Sequence, residues 1–277
     1  MNVIGETAFA KINLALHVRV RRADGYHEIE SLFAFVDDGD RLSAGPADSL
    51  SLEVTGPFAA SLAGEGDDNL VLRAARAMQR HFGVRDGAAI RLDKRLPIAA
   101  GLGGGSADAA AVARALARLW RLDAGEDALV AAIGGLGADV PVCVSSRMVI
   151  GRGIGDDMTD WSGAAAWAGR PVLLVNPGDA CPTGPVYRAW DGVDRGALTD
   201  DPAGWRNDLE PGAMALVPSI AGVLAALREC AGASWVRMSG SGATCFALFD
   251  DREVRDAAEN RIRAAHPGWW TMTGALR

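Results

Sequence analysis

Apolar and polar residues alternate near the start of the chain. Every second residue from Ile12 to Val18 is apolar, and Asn13 and His17 lie between them on the opposite face. This period of two predicts a strand. Short apolar runs predict further strands, which lie at 29–36, 50–55, 88–96, 140–144, 147–151, 172–178, 234–240, 244–250 and 269–276.

Apolar residues spaced by three and four predict the helices. The first helix has Asp68 or Asn69 as its N-cap and ends at Gly83, a residue that suits a helix C-terminus. Further helices are predicted at 106–120, 126–133, 213–232 and 251–265.

The pattern weakens after residue 155, where a turn-rich stretch runs to residue 171. We place a domain boundary there, which gives domains at 1–157 and 158–277. The elements after residue 171 follow the order β-α-β-β-α-β, which is typical of a ferredoxin-like unit. The whole chain is therefore predicted to be an α+β protein of two domains.

Composition narrows the function classes. The chain has 277 residues, of which 49% are hydrophobic and 23% charged, and its net charge is −7. An acidic chain argues against nucleic acid as a partner. The chain contains no apolar run of 18 residues, so no membrane span is predicted. Its first residues do not resemble a signal peptide. Four scattered cysteines indicate reduced thiols, so we expect a cytoplasmic protein.

Lysine is rare in this chain. Only Lys11 and Lys94 are lysines, and the other 26 of the 28 basic residues are arginines. A compact ammonium group and a planar guanidinium group are not equivalent. The two lysines are therefore candidates for function, although each can also be a solvated residue at a strand end.

A glycine-rich loop precedes the helix predicted at 106–120. Four of the five residues from 101 to 105 are glycine, and Ser106 follows them. Backbone N–H groups at a helix N-terminus bind anions, and glycines let the main chain close around a phosphate. Two interpretations fit, a phosphate-binding loop or a flexible connection with Ser106 as N-cap. No Gly-Lys pair occurs, so the nucleotide-binding P-loop motif is excluded.

The loop, with Pro97 four residues before Gly101, resembles the phosphate loop of the galactokinase, homoserine kinase, mevalonate kinase and phosphomevalonate kinase (GHMP) superfamily. Six more segments resemble one branch of it, the 4-diphosphocytidyl-2-C-methyl-D-erythritol kinases. They are AKINLALHV (10–18), RADGYHEIESLF (22–33), DKRLP (93–97), GADVPV (137–142), NDLEP (207–211) and MSGSGAT (238–244).

This resemblance implies a fold and an activity. The N-terminal domain would be ribosomal-protein-S5-domain-2-like and the C-terminal domain ferredoxin-like, with the substrate cleft between them. The reaction would be ATP-dependent phosphorylation of the 2-hydroxyl of the cytidine diphosphate conjugate, in the non-mevalonate route to isopentenyl diphosphate. ATP would be the co-substrate and Mg²⁺ the metal, whose ligands the sequence does not identify. We expect a monomer or a weak homodimer.

The resemblance also implies catalytic roles. Asp139 matches the family's catalytic aspartate, although from its spacing alone it is more typical of a turn or cap residue. Lys11, at the head of the first strand, would polarise the acceptor hydroxyl beside it.

The residues expected to bind ATP are those of the loop and two outside it. They are Pro97, Ile98, Ala99, Ala100, Gly101, Leu102, Gly103, Gly104, Gly105, Ser106, Ala107, Asn69 and Lys94. Asn69 is equally explained as a plain N-cap, and Lys94 as a solvated lysine. Ala100 and Ala107 depart from the glycine and serine usual in the family, but both are small. The turn Gly240–Gly242 either closes over the phosphate or simply joins two strands.

The predicted substrate site contains aromatic rings suited to a pyrimidine. Tyr26 and His27 offer a flat ring and a hydrogen-bonding imidazole, and Tyr187 matches a second family aromatic. Asn13 and Thr183 are further predicted contacts. Without the family, the two tyrosines are equally explained as half-buried core residues.

Two other functions remain open. One is a kinase of the same superfamily acting on homoserine or mevalonate, which carry no base to stack on Tyr26 and Tyr187. The other is an inactive nucleotide-binding homologue, which has no reason to keep both Lys11 and Asp139.

Overall fold

The structure is a computed structural model that describes residues 3–277. Its strands, in chain order, are β1 (Ile4–Arg21), β2 (His27–Ala47), β3 (Leu50–Thr55), β4 (Gly87–Asp93), β5 (Val149–Arg152), β6 (Asp157–Asp160), β7 (Pro171–Asn176), β8 (Trp235–Met238), β9 (Cys245–Leu248) and β10 (Trp270–Ala275). Its α-helices are α1 (Leu70–Phe82), α2 (Gly104–Leu119), α3 (Glu126–Ile133), α4 (Val140–Ser145), α5 (Ala164–Trp167), α6 (Thr183–Arg188), α7 (Glu210–Leu216), α8 (Ser219–Arg228) and α9 (Arg252–Ala265). This mixture of helix and strand confirms the coarse α+β prediction.

The chain divides into two compact units, each built from several segments. The first contains 38–98, 103–146 and the chain up to residue 10, and the second contains 11–37, 99–102 and 147–277. The predicted division at residue 157 uses continuous segments, and it stays a prediction. None of the helices in residues 3–277 combines the length and apolarity that a membrane crossing requires.

In the first unit, β4 pairs with the second half of β2 in antiparallel register and with β3 in parallel register. The helix α2 packs against α1 and α4. Ten residues of α2 are buried, because its alanine-rich sequence lets neighbouring helices approach closely. The N-cap of α1 is Asn69, and Gly83 ends it in the left-handed conformation, as predicted.

In the second unit, β7 lies inside a four-stranded antiparallel sheet of order β10-β7-β9-β8. The helices α8 and α9 pack against this sheet. Leu173, Val175, Leu224 and Phe249 are among the fully buried residues of its core. The first half of β2 pairs with β5, which pairs with β6.

Two secondary-structure predictions were wrong. Residues 140–144 form the helix α4 rather than a strand, because a five-residue apolar run does not distinguish the two and Pro141 suits the first helical turn. The helix predicted at 213–232 is interrupted at Val217, because Pro218 disfavours helical geometry in the preceding residue. The turn-rich stretch after residue 155, for which the pattern predicted no element, contains the short β6 and α5.

Candidate active site

The glycine-rich loop connects β4 to α2 and has an alternating backbone. Ala99, Gly101 and Gly103 have positive φ angles of 50°, 75° and 61°. Positive φ angles at every second residue turn the main chain sharply, and glycine adopts them without steric cost. Loops that contain left-handed residues can form anion-binding concavities, so the phosphate interpretation stays a prediction that this backbone allows.

The helix α2 begins two residues earlier than predicted. Its N-cap is Gly103, so the interpretation of Ser106 as N-cap is wrong. The N–H of Ala107 donates to Gly103 O at 2.8 Å, so this amide is already paired within the helix. The amides of Gly104, Gly105 and Ser106 form the first turn, where N–H groups have no partner inside the helix.

Backbone atoms of another segment fill the space beside Gly101, where a side chain would otherwise lie. A Cβ on Gly101 would lie 2.2 Å from Ser239 O, so a side chain is excluded there. Ser239 Oγ donates to Gly101 O at 2.8 Å, and Thr244 N donates to Ala100 O at 3.2 Å. The turn Gly240–Gly242 therefore joins β8 to β9 and also belongs to a segment that holds the loop. Its contact with phosphate stays a prediction.

Two predicted residues of the first unit lie at helix starts. Asp139 is half-buried, lies in a turn and occupies the N-cap position of α4, although its side chain makes no capping hydrogen bond. The turn or cap interpretation is therefore confirmed for its position, and its catalytic role stays a prediction. Asn69 does cap α1, since its Oδ1 accepts from Val71 N at 2.9 Å. Its Nδ2 donates to Glu65 Oε2 at 3.0 Å. The N-cap role of Asn69 is confirmed, and its adenine contact stays a prediction.

Lys94 is buried rather than solvated, with a side chain only 1% exposed. Its Nζ contacts the carboxylates of Asp40 and Asp108, each at 2.6 Å. The interpretation of Lys94 as a surface lysine is therefore wrong. Asp108, a carboxylate within an alanine-rich helix, is the feature of the sequence that could have indicated a buried partner for Lys94.

Lys11 and Asn13 lie together on β1 in the second unit, and both are buried. Lys11 Nζ donates to Asn13 Oδ1 at 3.1 Å and lies 5.4 Å from the centre of the Phe33 ring. Asn13 Nδ2 donates to Ser31 Oγ at 2.7 Å. Lys11 is thus not a solvated surface residue. These contacts orient the ammonium and amide groups, which the sequence had placed on one face of a strand.

The predicted pyrimidine site contains an aromatic group in the second unit. The rings of His27 and Tyr187 have centroids 5.0 Å apart, and Trp190 meets His27 edge-on at 5.7 Å. Burial, with a smaller effect from Arg21, lowers the pKa of His27. The imidazole is therefore neutral near pH 7, with one donor and one acceptor nitrogen. No motif in the sequence singled out Trp190.

Tyr26 is 59% exposed, which excludes its interpretation as a core residue. Its ring is accessible, although its backbone N–H is held by Asp24 Oδ1 at 3.0 Å. Thr183 begins α6 and is exposed, and its Oγ1 lies 3.0 Å from Ser241 Oγ. The structure thus places Thr183 beside the second glycine turn. Substrate contacts of both residues stay predictions.

Comparison with known proteins agrees with the motifs. The model described as "GHMP kinases N terminal domain" matches residues 69–147, and "GHMP kinases C terminal" matches 198–268. The chain is 52% identical to the 4-diphosphocytidyl-2-C-methyl-D-erythritol kinase of Sphingopyxis alaskensis, over 98% of both chains. It is 53% identical to the protein of that name from Novosphingobium aromaticivorans, over 98% of this chain and 92% of that protein.

Solved structures of kinases also resemble this chain. A crystal structure of 4-(cytidine 5'-diphospho)-2C-methyl-D-erythritol kinase has a TM-score of 0.83 and 35% identity, and the match covers 98% of each chain. Homoserine kinase from Cytophaga hutchinsonii has a TM-score of 0.74 and 18% identity, over 100% of this chain and 95% of that one. The second likeness shows a shared fold only.

Proposed function

The chain belongs to the GHMP kinase family, and from that premise we propose that it transfers the γ-phosphoryl group of ATP to the 2-hydroxyl of 4-diphosphocytidyl-2-C-methyl-D-erythritol. This reaction is a step in the methylerythritol phosphate route to isopentenyl diphosphate. The proposal rests on one observation. About half of the residues are identical, over nearly the whole chain, to those of kinases named for this substrate. The chain is therefore an ATP-dependent small-molecule kinase.

The glycine-rich loop is the proposed site of the triphosphate. The amides around Gly101 and Gly103, which have positive φ angles, and those of the first turn of α2 are the proposed N–H donors to phosphate oxygens. Donors fixed in the backbone need no reorganisation when charge develops during transfer. The loop thus supplies binding and electrostatic stabilisation together.

Mg²⁺ is the proposed metal partner of ATP. Among residues 3–277, no group of three or more His, Cys, Asp or Glu side chains is arranged to hold a metal ion. Kinases commonly hold Mg²⁺ through nucleotide phosphates and only one or two protein ligands. The Ser106 hydroxyl, at the start of α2, is the proposed protein ligand. When bound, the ion would neutralise charge on the β- and γ-phosphates.

Asp139 and Lys11 are the proposed catalytic residues. The substrate hydroxyl oxygen bonds to the γ-phosphorus while the bond from phosphorus to the ADP oxygen breaks, and the hydroxyl proton passes to the Asp139 carboxylate. The Lys11 ammonium, oriented by Asn13, polarises that hydroxyl. Neither residue is needed to bind the adenine or the triphosphate.

We also propose a ferredoxin-like C-terminal domain, at 158–277. The antiparallel order β10-β7-β9-β8, with α8 and α9 packed against the sheet, supports this description. The ribosomal-protein-S5-domain-2-like N-terminal domain is proposed from the family alone.

A coupled assay of ADP release tests the function. The purified chain should turn over ATP with the cytidine conjugate and leave homoserine and mevalonate unused. Asp139→Asn should lower kcat by roughly 10²-fold or more, as is typical for loss of a general base, with little change in KM for ATP. Asp123→Asn, at an exposed position, is the matched control. Equal turnover of homoserine, or an unaffected Asp139→Asn enzyme, would contradict the proposal.

A further inference from the structure

A buried group of three charged side chains lies under the start of α2. Lys94 Nζ donates to Asp40 Oδ2 and Asp108 Oδ2, each at 2.6 Å. The three side chains are 1%, 0% and 4% exposed, respectively. Asp40 comes from β2, Lys94 directly follows β4, and Asp108 lies in the second turn of α2. The ion pairs therefore connect three elements of the first unit.

The same group holds the chain where it enters the glycine-rich loop. Asp40 Oδ1 accepts from Arg95 N at 2.5 Å and from Leu96 N at 2.8 Å. Leu96 is fully buried and immediately precedes Pro97. The Asp40 carboxylate thus binds the Lys94 ammonium through one oxygen and the backbone at the loop entrance through the other.

The Lys94 ammonium also supports the loop's exit. A Cβ built on Gly104 would lie 3.1 Å from Lys94 Nζ, so the first residue of α2 rests directly on the ammonium group. A side chain at this position would push against the ammonium. Glycine therefore lets the first turn of α2 sit close to the buried charge.

The two carboxylates favour the charged form of Lys94. Burial by itself lowers the pKa of Lys94, but the attraction of Asp108 and Asp40 reverses the effect and raises it. Two of the ammonium's donors are directed at carboxylates, and the side chain is inaccessible to a ligand such as adenine. Its contribution to nucleotide binding must therefore pass through the residues that it holds.

We propose that Lys94 is a positioning residue for ATP, which acts with Asp40 and Asp108 to fix both ends of the phosphate loop. It sets the direction of the first-turn amides of α2 without touching the nucleotide. This inference rests on the proposed function, because it assigns the triphosphate to those amides. It replaces the expected direct contact of Lys94 with ATP.

The test is Lys94→Met, which keeps the length of the side chain and removes its charge. We expect KM for ATP to rise at least tenfold while KM for the cytidine conjugate changes less than twofold. Arg91→Met, at an exposed position on β4 paired with Glu53, is the matched control and should behave as wild type. If Lys94→Met raises both KM values equally, or neither, the inference is wrong.

Lys94→Met leaves two buried carboxylates without their counter-charge, so it can fail to fold. The triple variant Lys94→Met with Asp40→Asn and Asp108→Asn removes all three charges and nearly preserves shape. It should show the same selective rise in KM for ATP, and a wild-type KM would overturn the inference. Calorimetric binding of a non-hydrolysable ATP analogue gives the same comparison without turnover. If the wild-type chain binds the analogue but does not phosphorylate the conjugate, the proposed function is wrong and the role of Lys94 is not affected. Weaker binding of the analogue by the variants would still support that role.

Discussion

Tyr26 and His27 are neighbours in the chain but lie in different environments. Tyr26 is 59% exposed, whereas His27 is 6% exposed and contacts Tyr187. An exposed aromatic ring beside a neutral, held imidazole suits a ligand with one flat face and one hydrogen-bonding edge. The sequence identified these residues through the family motif, but it could not distinguish the accessible ring from the buried one.

Replacement of Tyr26 tests the role of its ring. Tyr26→Ala should raise KM for the cytidine conjugate by a factor corresponding to roughly 1–3 kcal/mol, as is usual for lost base stacking. Tyr26→Phe keeps the ring and should retain a KM close to that of the wild type. Steady-state kinetics with saturating ATP measure both. A Phe variant as impaired as the Ala variant would assign the effect to the hydroxyl group instead.

Loops and helices of this chain use glycine for different reasons. Gly101 has a φ of +75° and lies against Ser239 O, so the loop conformation requires it. Gly222 lies on the exposed side of α8, and a Cβ there would meet nothing within 4 Å. Only the first glycine is therefore demanded by the structure around it.

The two glycines predict opposite effects on stability. Gly222→Ala should raise the free energy of unfolding by about 0.5–1 kcal/mol, because alanine favours helix and restricts the unfolded chain. Gly101→Ala should lower it by more than about 1 kcal/mol, because its φ and the 2.2 Å approach exclude a methyl group. Urea denaturation of both variants measures the difference. Equal effects of the two substitutions would show that the loop conformation is not as described.

Contacts between distant parts of the chain hold the segment 194–198 in the second unit. His17 Nδ1 lies 3.2 Å from Gly196 O, and Arg19 Nε donates to Asp194 Oδ1 at 2.9 Å. Glu30 Oε2 accepts from Leu198 N at 2.5 Å. This segment contains no helix or strand, so its conformation depends on side chains of β1 and β2. No pattern of apolar residues marks this segment in the sequence.

The charge state of His17 should make stability depend on pH. Burial first, and the charge of Arg206 second, lower the pKa of His17 from its ordinary value of 6.5. The folded chain therefore binds this proton less readily than the unfolded chain does. Stability from the neutral ring is complete above about pH 6.5 and is lost as the pH falls through the lower folded value.

Urea denaturation between pH 8 and pH 5 checks this dependence. His17→Asn, which offers a similarly placed donor and does not titrate, should lose less stability than the wild type as the pH falls below 6.5. His81→Asn is the matched control, because His81 is exposed, and it should follow the wild-type profile. Parallel profiles for the wild type and His17→Asn would contradict the assignment.

Local pattern was sufficient for several elements and for the family. Alternation predicted the strand through 12–18, and spacing of three and four with a cap and a terminal glycine predicted α1. The glycine run predicted a special backbone before α2, since few other roles justify so many residues without side chains. These features depend on neighbours within a few positions, so they can be recognised along the chain.

Tertiary packing decided the roles that depend on partners far away in sequence. Lys94 was indistinguishable from a solvated lysine until Asp40, 54 residues away, was placed against it. The run at 140–144 became a helix, and Gly101 met Ser239, 138 residues later. Burial and ion pairing depend on which residues are close in three dimensions, and spacing along the chain does not reveal these neighbours. That is why the sequence could predict a phosphate loop, whereas only the folded structure shows which residues hold this segment.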